Sequence, residues 1–252
     1  MNLLEHVLYI NLEERPDRKE HVENEFKKLG ITPERFHATR AKSGAVGCTI
    51  SHIKALELAK SRDYSQVLIC EDDITFLKPK TFLKNLKKFA ECNDGKDFDV
   101  LLVSGNNGIP YDQLSDFHIK ITNCRTTTGY IVRKHYYDIL INNFRTGLQH
   151  LIRDSENKRE FALDMYWNVL QKSGKWYLLI PVTVVQYPSY SDVENRDVDY
   201  TSLIQDYKKE WMVRNQIIHS IMNQQPQPNN TPTNPPVNFR NMTFVSRPTY
   251  NP

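Results

Sequence analysis

No CxxC pair joins the four cysteines, Cys48, Cys70, Cys92 and Cys124, and no zinc-module pattern of cysteine and histidine surrounds them. This excludes a sequence-local zinc module and a disulfide framework, and it reads the four as reduced core thiols in a reducing compartment. No run of about 18 apolar residues occurs, which excludes a membrane-spanning helix. The opening MNLLEHVLYINL lacks a basic leader, and its apolar run is too short for a secretory signal. No dense Lys/Arg tract is interleaved with aromatics and the formal net charge is only +3, so nucleic acid is not the expected partner. Walker A and GxGxxG patterns are absent, as is any internal repeat. The 252 residues suffice for one large α/β core or two small ones.

What is present centres on Gln66 to Phe76, QVLICEDDITF. The run Val67 to Cys70 is too short for a helix and has the apolar, β-branched character of a buried strand in a mostly parallel sheet. Ligands bind such sheets at the carboxyl ends of strands, where Glu71, Asp72 and Asp73 lie. Alternation along an extended chain puts Glu71 and Asp73 on one side and Asp72 on the other. Converging carboxylates repel unless a proton or cation intervenes, and Mg²⁺ or Mn²⁺ is held by such oxygens together with substrate phosphates. An acidic loop after a strand is the plain alternative.

Along the chain, His6 to Leu12 reads as the first buried strand and Asp17 to Leu29 as a helix, opened by Pro16 and stopped by Gly30. Arg15 and Arg18 stand between them, suited to grip phosphate or a base carbonyl, or simply solvated. A short strand over Phe36 to Arg40 leads to a small-residue loop, Ser43 to His52, entering a helix over Ser51 to Ser61. Gly44 and Gly47 permit close backbone approach, and His52 is either a substrate donor or a structural hydrogen-bonder. An amphipathic helix over Lys78 to Phe89 follows the acidic strand. Strands over Asp99 to Ser104 and Thr126 to Val132 flank the loop Gly105 to Gly108, and a helix follows over Lys134 to Asn142. In the helical stretch Glu160 to Leu170, Asp164 sits among apolar and aromatic neighbours, either as a desolvated base or as a cap or ion-pair partner. Trp176 to Gln186 reads as two strands broken at Pro181, with a loop from Gln186 to Val193 returning to the ligand edge. From Asn223 the composition turns to Asn, Gln, Pro and Thr, with about half of the 13 prolines and no acidic residue, which marks residues 223 to 252 as a flexible tail behind a domain of residues 1 to 222.

INLEERPDR, GAVGCTISH, VLICEDDITF, TTTGYIV, LDMYW and VVQYPSYSDV, in this order over roughly residues 5 to 195, resemble glycosyltransferase family 25, the lipooligosaccharide and collagen galactosyltransferase group. The resemblance implies a single-domain α/β fold of GT-A type, a Rossmann-like mixed sheet flanked by helices. It also implies a UDP-sugar donor, Mn²⁺ (or Mg²⁺) dependence and inversion at the anomeric carbon. Carried over by position, Glu71, Asp72 and Asp73 match the acidic metal motif, with Asp73 the first choice as ligand. Asn11, Arg15 and Arg18 match the nucleotide-facing signature, and Gly47, Ser51 and His52 the second motif. Asp164 matches a later acidic residue and is the candidate base. Gln186 is the candidate third ligand, with Asp192 as its alternative.

The resemblance implies transfer of a galactose or glucose to a glycan, lipooligosaccharide or hydroxylysine-type protein acceptor. A metal-dependent nucleotidyltransferase shares the acidic strand end but yields pyrophosphate, and a non-catalytic nucleotide-sugar-binding module would release no UDP. The expected setting is a cytoplasmic enzyme, bacterial or viral-encoded.

Overall fold

The structure, a computed structural model, describes residues 2–154, 158–191 and 196–223. In chain order the elements are β1 (Val7–Asn11), α1 (Pro16–Lys27), β2 (Glu34–His37), α2 (Gly44–Ser61), β3 (Gln66–Glu71), β4 (Ile74–Phe76), α3 (Pro79–Glu91) and α4 (Asn93–Lys96). There follow β5 (Val100–Leu102), β6 (Asn106–Asn107), β7 (Tyr111–Gln113), β8 (His118–Ile121), β9 (Cys124–Arg125), β10 (Gly129–Arg133) and α5 (Tyr137–Arg153). The chain continues with α6 (Lys158–Phe161), α7 (Leu163–Tyr166), α8 (Asn168–Gln171), β11 (Trp176–Leu179), β12 (Val184–Gln186), β13 (Ser189–Ser191), β14 (Arg196–Val198), α9 (Thr201–Gln205) and α10 (Glu210–Asn223). Chain contacts separate a unit of residues 1–213 from a second that begins at Arg214, and all that follows concerns the first.

One eight-stranded mixed sheet, ordered β2-β1-β3-β10-β5-β11-β8-β7, organises this unit. β1 runs parallel to β2 and β3, and β11 parallel to β5, whereas β10 is antiparallel to both β3 and β5. The inserted antiparallel strand has a consequence for function. It brings the amino end of β10 to the same sheet edge as the carboxyl ends of β1 and β3.

Both faces of the sheet are covered, so the central strands are apolar throughout instead of alternating with polar residues. Leu8, Ile10, Ile69, Val100 and Tyr130 pack with Leu56 of α2, Phe144 of α5 and Trp167 on one face. Val7, Tyr9, Leu68, Leu101 and Ile131 pack with Phe26 of α1 and Phe82, Leu86 and Phe89 of α3 on the other. The mixed sheet flanked by helices expected from the sequence is therefore present.

Three local expectations differ. The stretch from Gly44 to Ser51 is the first part of α2 and not a loop. Small residues there suit close packing: a Cβ on Gly47 would lie 2.6 Å from the Thr39 carbonyl oxygen, so glycine lets the helix press against the chain leaving β2. The stretch from Glu160 to Leu170 is broken into α6, α7 and α8, with an extended Ala162 (φ −56°, ψ 147°) between the first two. Of the thiols, Cys70 and Cys124 are buried as expected, but Cys48 and Cys92 are only half-buried. Residues from 224 onward, most of the expected tail, lie outside the described residues, as does Asp192.

Candidate active site

A cleft of about 410 Å³ opens at the carboxyl ends of β1 and β3 and the amino end of β10. Among the described residues, every candidate read from the sequence lines it except Asn11, whose amide bonds Asp72. The acidic triplet is not arranged by strand alternation. β3 stops at Glu71, and a turn at Asp72 and Asp73 precedes β4, so all three carboxylates reach the same cleft.

Each carboxylate has its own company. Glu71 accepts a short hydrogen bond from the Thr127 hydroxyl at the amino end of β10, and His52 Nε2 faces it at 3.6 Å. Burial pushes the Glu71 carboxyl up, but the charge-stabilising neighbours His52 and Thr127 outweigh it and hold the group below its ordinary value. His52 is fully buried, with its Nδ1 3.0 Å from the Tyr130 hydroxyl. Burial raises the Tyr130 phenol and keeps it protonated, and its contact with Nδ1 orients the His52 ring with Nε2 toward Glu71.

Asp72 accepts from Asn11 Nδ2 at 2.7 Å and from Arg18 Nη1 at 3.0 Å. Its carboxyl is raised by burial, against the pull of Arg18 and Asn11. Arg18 also donates through Nη2 to Ser189 Oγ and to the Tyr190 carbonyl, both at 2.7 Å, and so ties β13 to the acidic turn. Asn11 is 1% exposed and engaged at both ends of its amide, since its Oδ1 accepts from Arg35 Nε at 3.0 Å. The structure thus makes Asn11 a support for Asp72 rather than part of the cleft wall.

Asp73 is placed by strand pairing. β4 pairs antiparallel with β12 so that Ile74 opposes Gln186, and the Gln186 amide Nε2 lies 3.5 Å from Asp73 Oδ2. Burial, then the charge of Glu71, raises the Asp73 carboxyl well above the usual carboxylate range. Asp73 Oδ1 and Gln186 Oε1 are both buried and have no hydrogen-bond partner among the described residues. Buried unpaired oxygens are costly, and two of them beside a cluster of carboxylates suit a hard divalent cation. The residues present therefore fit Mn²⁺ or Mg²⁺. Cys48, His52 and Glu71 also offer ligand atoms within 4.8 Å of one another. Burial and the neighbouring carboxylates push the Cys48 thiol well up, so it is a poor thiolate donor.

Asp164 enters from α7, where its Oδ2 accepts from the Thr126 backbone N–H at 3.0 Å. Thr126 adopts a left-handed backbone, φ 72°, which turns that N–H toward the carboxylate. Burial, aided by Glu71, raises the Asp164 carboxyl. Ser51 lines the cleft with its hydroxyl engaged within the fold: its Oγ donates to the Gly47 carbonyl at 2.7 Å and accepts from Thr39 N–H at 2.8 Å. Arg15 lines the cleft while bonded to Asp17 through Nε at 3.0 Å and Nη2 at 2.8 Å. Arg40 and Lys42 line it as well and went unremarked in the sequence, as did Thr127, Tyr130 and Arg35. The run of three threonines before β10 was the available signal for Thr127.

Residues 39–152 match the model of glycosyltransferase family 25, described as an LPS biosynthesis protein. A glycosyltransferase 25 family member of Drosophila pseudoobscura pseudoobscura is 30% identical over 101 residues, a match covering 29% of this chain and 16% of the relative. One from Drosophila melanogaster is 29% identical over the same length, with the same coverage. The match thus spans only 16% of the length of these curated relatives. Among solved structures, the chain is similar to a glycosyltransferase involved in glycosylation of the major capsid of PBCV-1 (TM-score 0.46, 10% identity, 70% of this chain and 81% of that one). It is also similar to a Drosophila galactosyltransferase in complex with manganese, UDP-Gal and xylobiose (TM-score 0.30, 14% identity, 54% of this chain and 52% of that one).

Proposed function

We propose that the chain, which matches glycosyltransferase family 25 over residues 39–152, is a member of that family and transfers a hexose, galactose or glucose, from a UDP-sugar to a hydroxyl of a glycan, glycolipid or protein acceptor. The observation that carries this reading is the pair of buried, unpartnered oxygens, Asp73 Oδ1 and Gln186 Oε1, in a cleft that also contains a separate raised carboxylate, Asp164.

In the proposed mechanism Asp73 and Gln186, with Glu71 nearby, would hold a Mn²⁺ or Mg²⁺ ion. When bound, that ion supplies charge neutralisation for the donor diphosphate as UDP departs. Arg18 and Asn11 keep Asp72 fixed, so the acidic turn does not move as the donor binds. Arg15, Arg40 and Lys42 give the cleft wall cationic groups suited to a nucleoside diphosphate. The acceptor hydroxyl loses its proton to Asp164 at Oδ1, the oxygen not bonded to Thr126, while the hydroxyl oxygen attacks the anomeric carbon from the side opposite UDP. The C–O bond to UDP breaks as the new glycosidic bond forms. One displacement without an enzyme nucleophile inverts the anomeric configuration.

The test is to incubate the protein with a panel of UDP-sugars, with Mn²⁺ and with chelator, and to measure free UDP. Release from one sugar that is lost on chelation and in Asp73→Ala is the expected result. Neither binding nor UDP release with any member of the panel would overturn the reading.

A further inference from the structure

A second cluster of metal-ligating side chains lies outside the cleft, where Cys92, Asp94 and His118 meet. None of them forms a recognisable pattern in the sequence, because the fold brings them together. α3 ends at Glu91, Cys92 is extended (φ −79°, ψ 170°), and α4 starts at once and folds the chain back. A Cβ on Gly95 would lie 1.7 Å from the Phe89 carbonyl oxygen, so this turn closes only around glycine. β8 supplies His118 from the sheet, and the thiol, carboxylate and ring-nitrogen atoms all lie within 4.8 Å of one another.

The groups behind the three side chains hold them in place. Ser115 Oγ lies 2.8 Å from His118 Nδ1, which fixes the ring and leaves Nε2 facing Asp94 Oδ2 at 2.8 Å. The Tyr177 hydroxyl donates to the other carboxylate oxygen, Asp94 Oδ1, at 3.2 Å. The Cys92 thiol has a bond to the Phe89 carbonyl at 3.2 Å, and thiols are weak donors. Phe117, Phe89 and Tyr177 surround the imidazole, with ring centroids at 4.8, 5.2 and 5.6 Å. A ring and a carboxylate each oriented by an outer hydrogen bond, within an apolar shell, is how proteins prepare metal ligands.

We propose that Cys92, Asp94 and His118 form a zinc site that clips the α3–α4 turn to β8, independent of the chemistry in the cleft. Thiolate, imidazole and carboxylate together select a borderline-soft cation such as Zn²⁺ over the hard Mn²⁺ and Mg²⁺, with water in the fourth position. On binding, the Cys92 thiol proton leaves to solvent. Any proton on His118 Nε2 leaves to solvent as well, the Ser115 hydroxyl keeps its contact with Nδ1, and the cation takes the place between Nε2 and Asp94 Oδ2.

The test uses the full chain, stripped with chelator and titrated with Co²⁺ as a spectroscopic stand-in for Zn²⁺. One equivalent should produce a thiolate-to-cobalt charge-transfer band that Zn²⁺ abolishes by displacement. Cys92→Ser should remove the band and Cys48→Ser should keep it, while Asp94→Asn should weaken Co²⁺ affinity by roughly tenfold or more. Thermal melts give a second readout: Zn²⁺ should raise the melting temperature of the native chain and not that of Cys92→Ser, whose metal-free melt should match the native one. Absence of the band in the native chain, or a band or zinc-induced shift that survives Cys92→Ser, would overturn the proposal.

Discussion

Asp164 and the carboxylates at 71 to 73 share one cleft, but their surroundings differ. Asp72 is tied down by Asn11 and Arg18, and Glu71 by Thr127 and His52. Asp164 Oδ2 accepts from the Thr126 backbone N–H, and burial raises its carboxyl above the ordinary value, the direction that favours a base. Asp164→Asn keeps the shape and removes the proton acceptor. Turnover should therefore fall by about 10²- to 10⁴-fold, with little change in UDP-sugar affinity, measured as kcat against the Kd for donor. An equal loss in both would make Asp164 a binding group and move the base elsewhere. At this scale the sequence displayed the carboxylates but not their partners. Arg35 reaches Asn11 from β2, and Tyr130 reaches His52 across the sheet, and neither neighbour is sequential.

The elements show which local signals are decisive. The apolar runs of β1, β3 and β11 were legible because strands buried on both faces leave little other composition. The start of α2 was not, because glycine, alanine and serine after β2 suit a phosphate-binding loop as well as a helix pressed against backbone. Packing decides between them. Gly47 lies so close to Thr39 that a methyl group would enter the 2.6 Å gap to its carbonyl oxygen. Gly47→Ala should therefore push α2 off the segment that lines the cleft, and cost about 1–3 kcal/mol despite alanine's better helix propensity. Urea unfolding would show it as a lower midpoint at unchanged slope. A stabilised variant would mean that the contact relaxes freely. The three short helices from 158 to 171 were equally hidden. Their hydrophobic spacing continues through the break at Ala162, and Asp164 Oδ2 meets Thr126 just after that break, a contact between residues distant in sequence.

For the molecule as a whole, the acidic turn is held from outside as well as from within the cleft. His21 of α1 packs behind β4, its Nε2 3.1 Å from the Ile74 carbonyl and 3.0 Å from Thr75 Oγ1, and its ring lies 4.4 Å from that of Tyr187. In the neutral ring Nε2 carries the proton and donates to these oxygens. Burial, the largest influence, pulls the imidazole below its ordinary value of 6.5, although Glu25 acts in the opposite direction. A histidine with a lowered folded pKa binds fewer protons when folded than when unfolded. Its share of stability is then complete above 6.5 and is lost as pH falls from there through the folded value. Stability measured by denaturant midpoint should fall between about pH 7 and 5 more steeply in the native chain than in His21→Gln, which has no titrating ring there. Parallel curves would assign the acid loss to other groups. A shallower native curve would mean that the folded environment favours the charged ring.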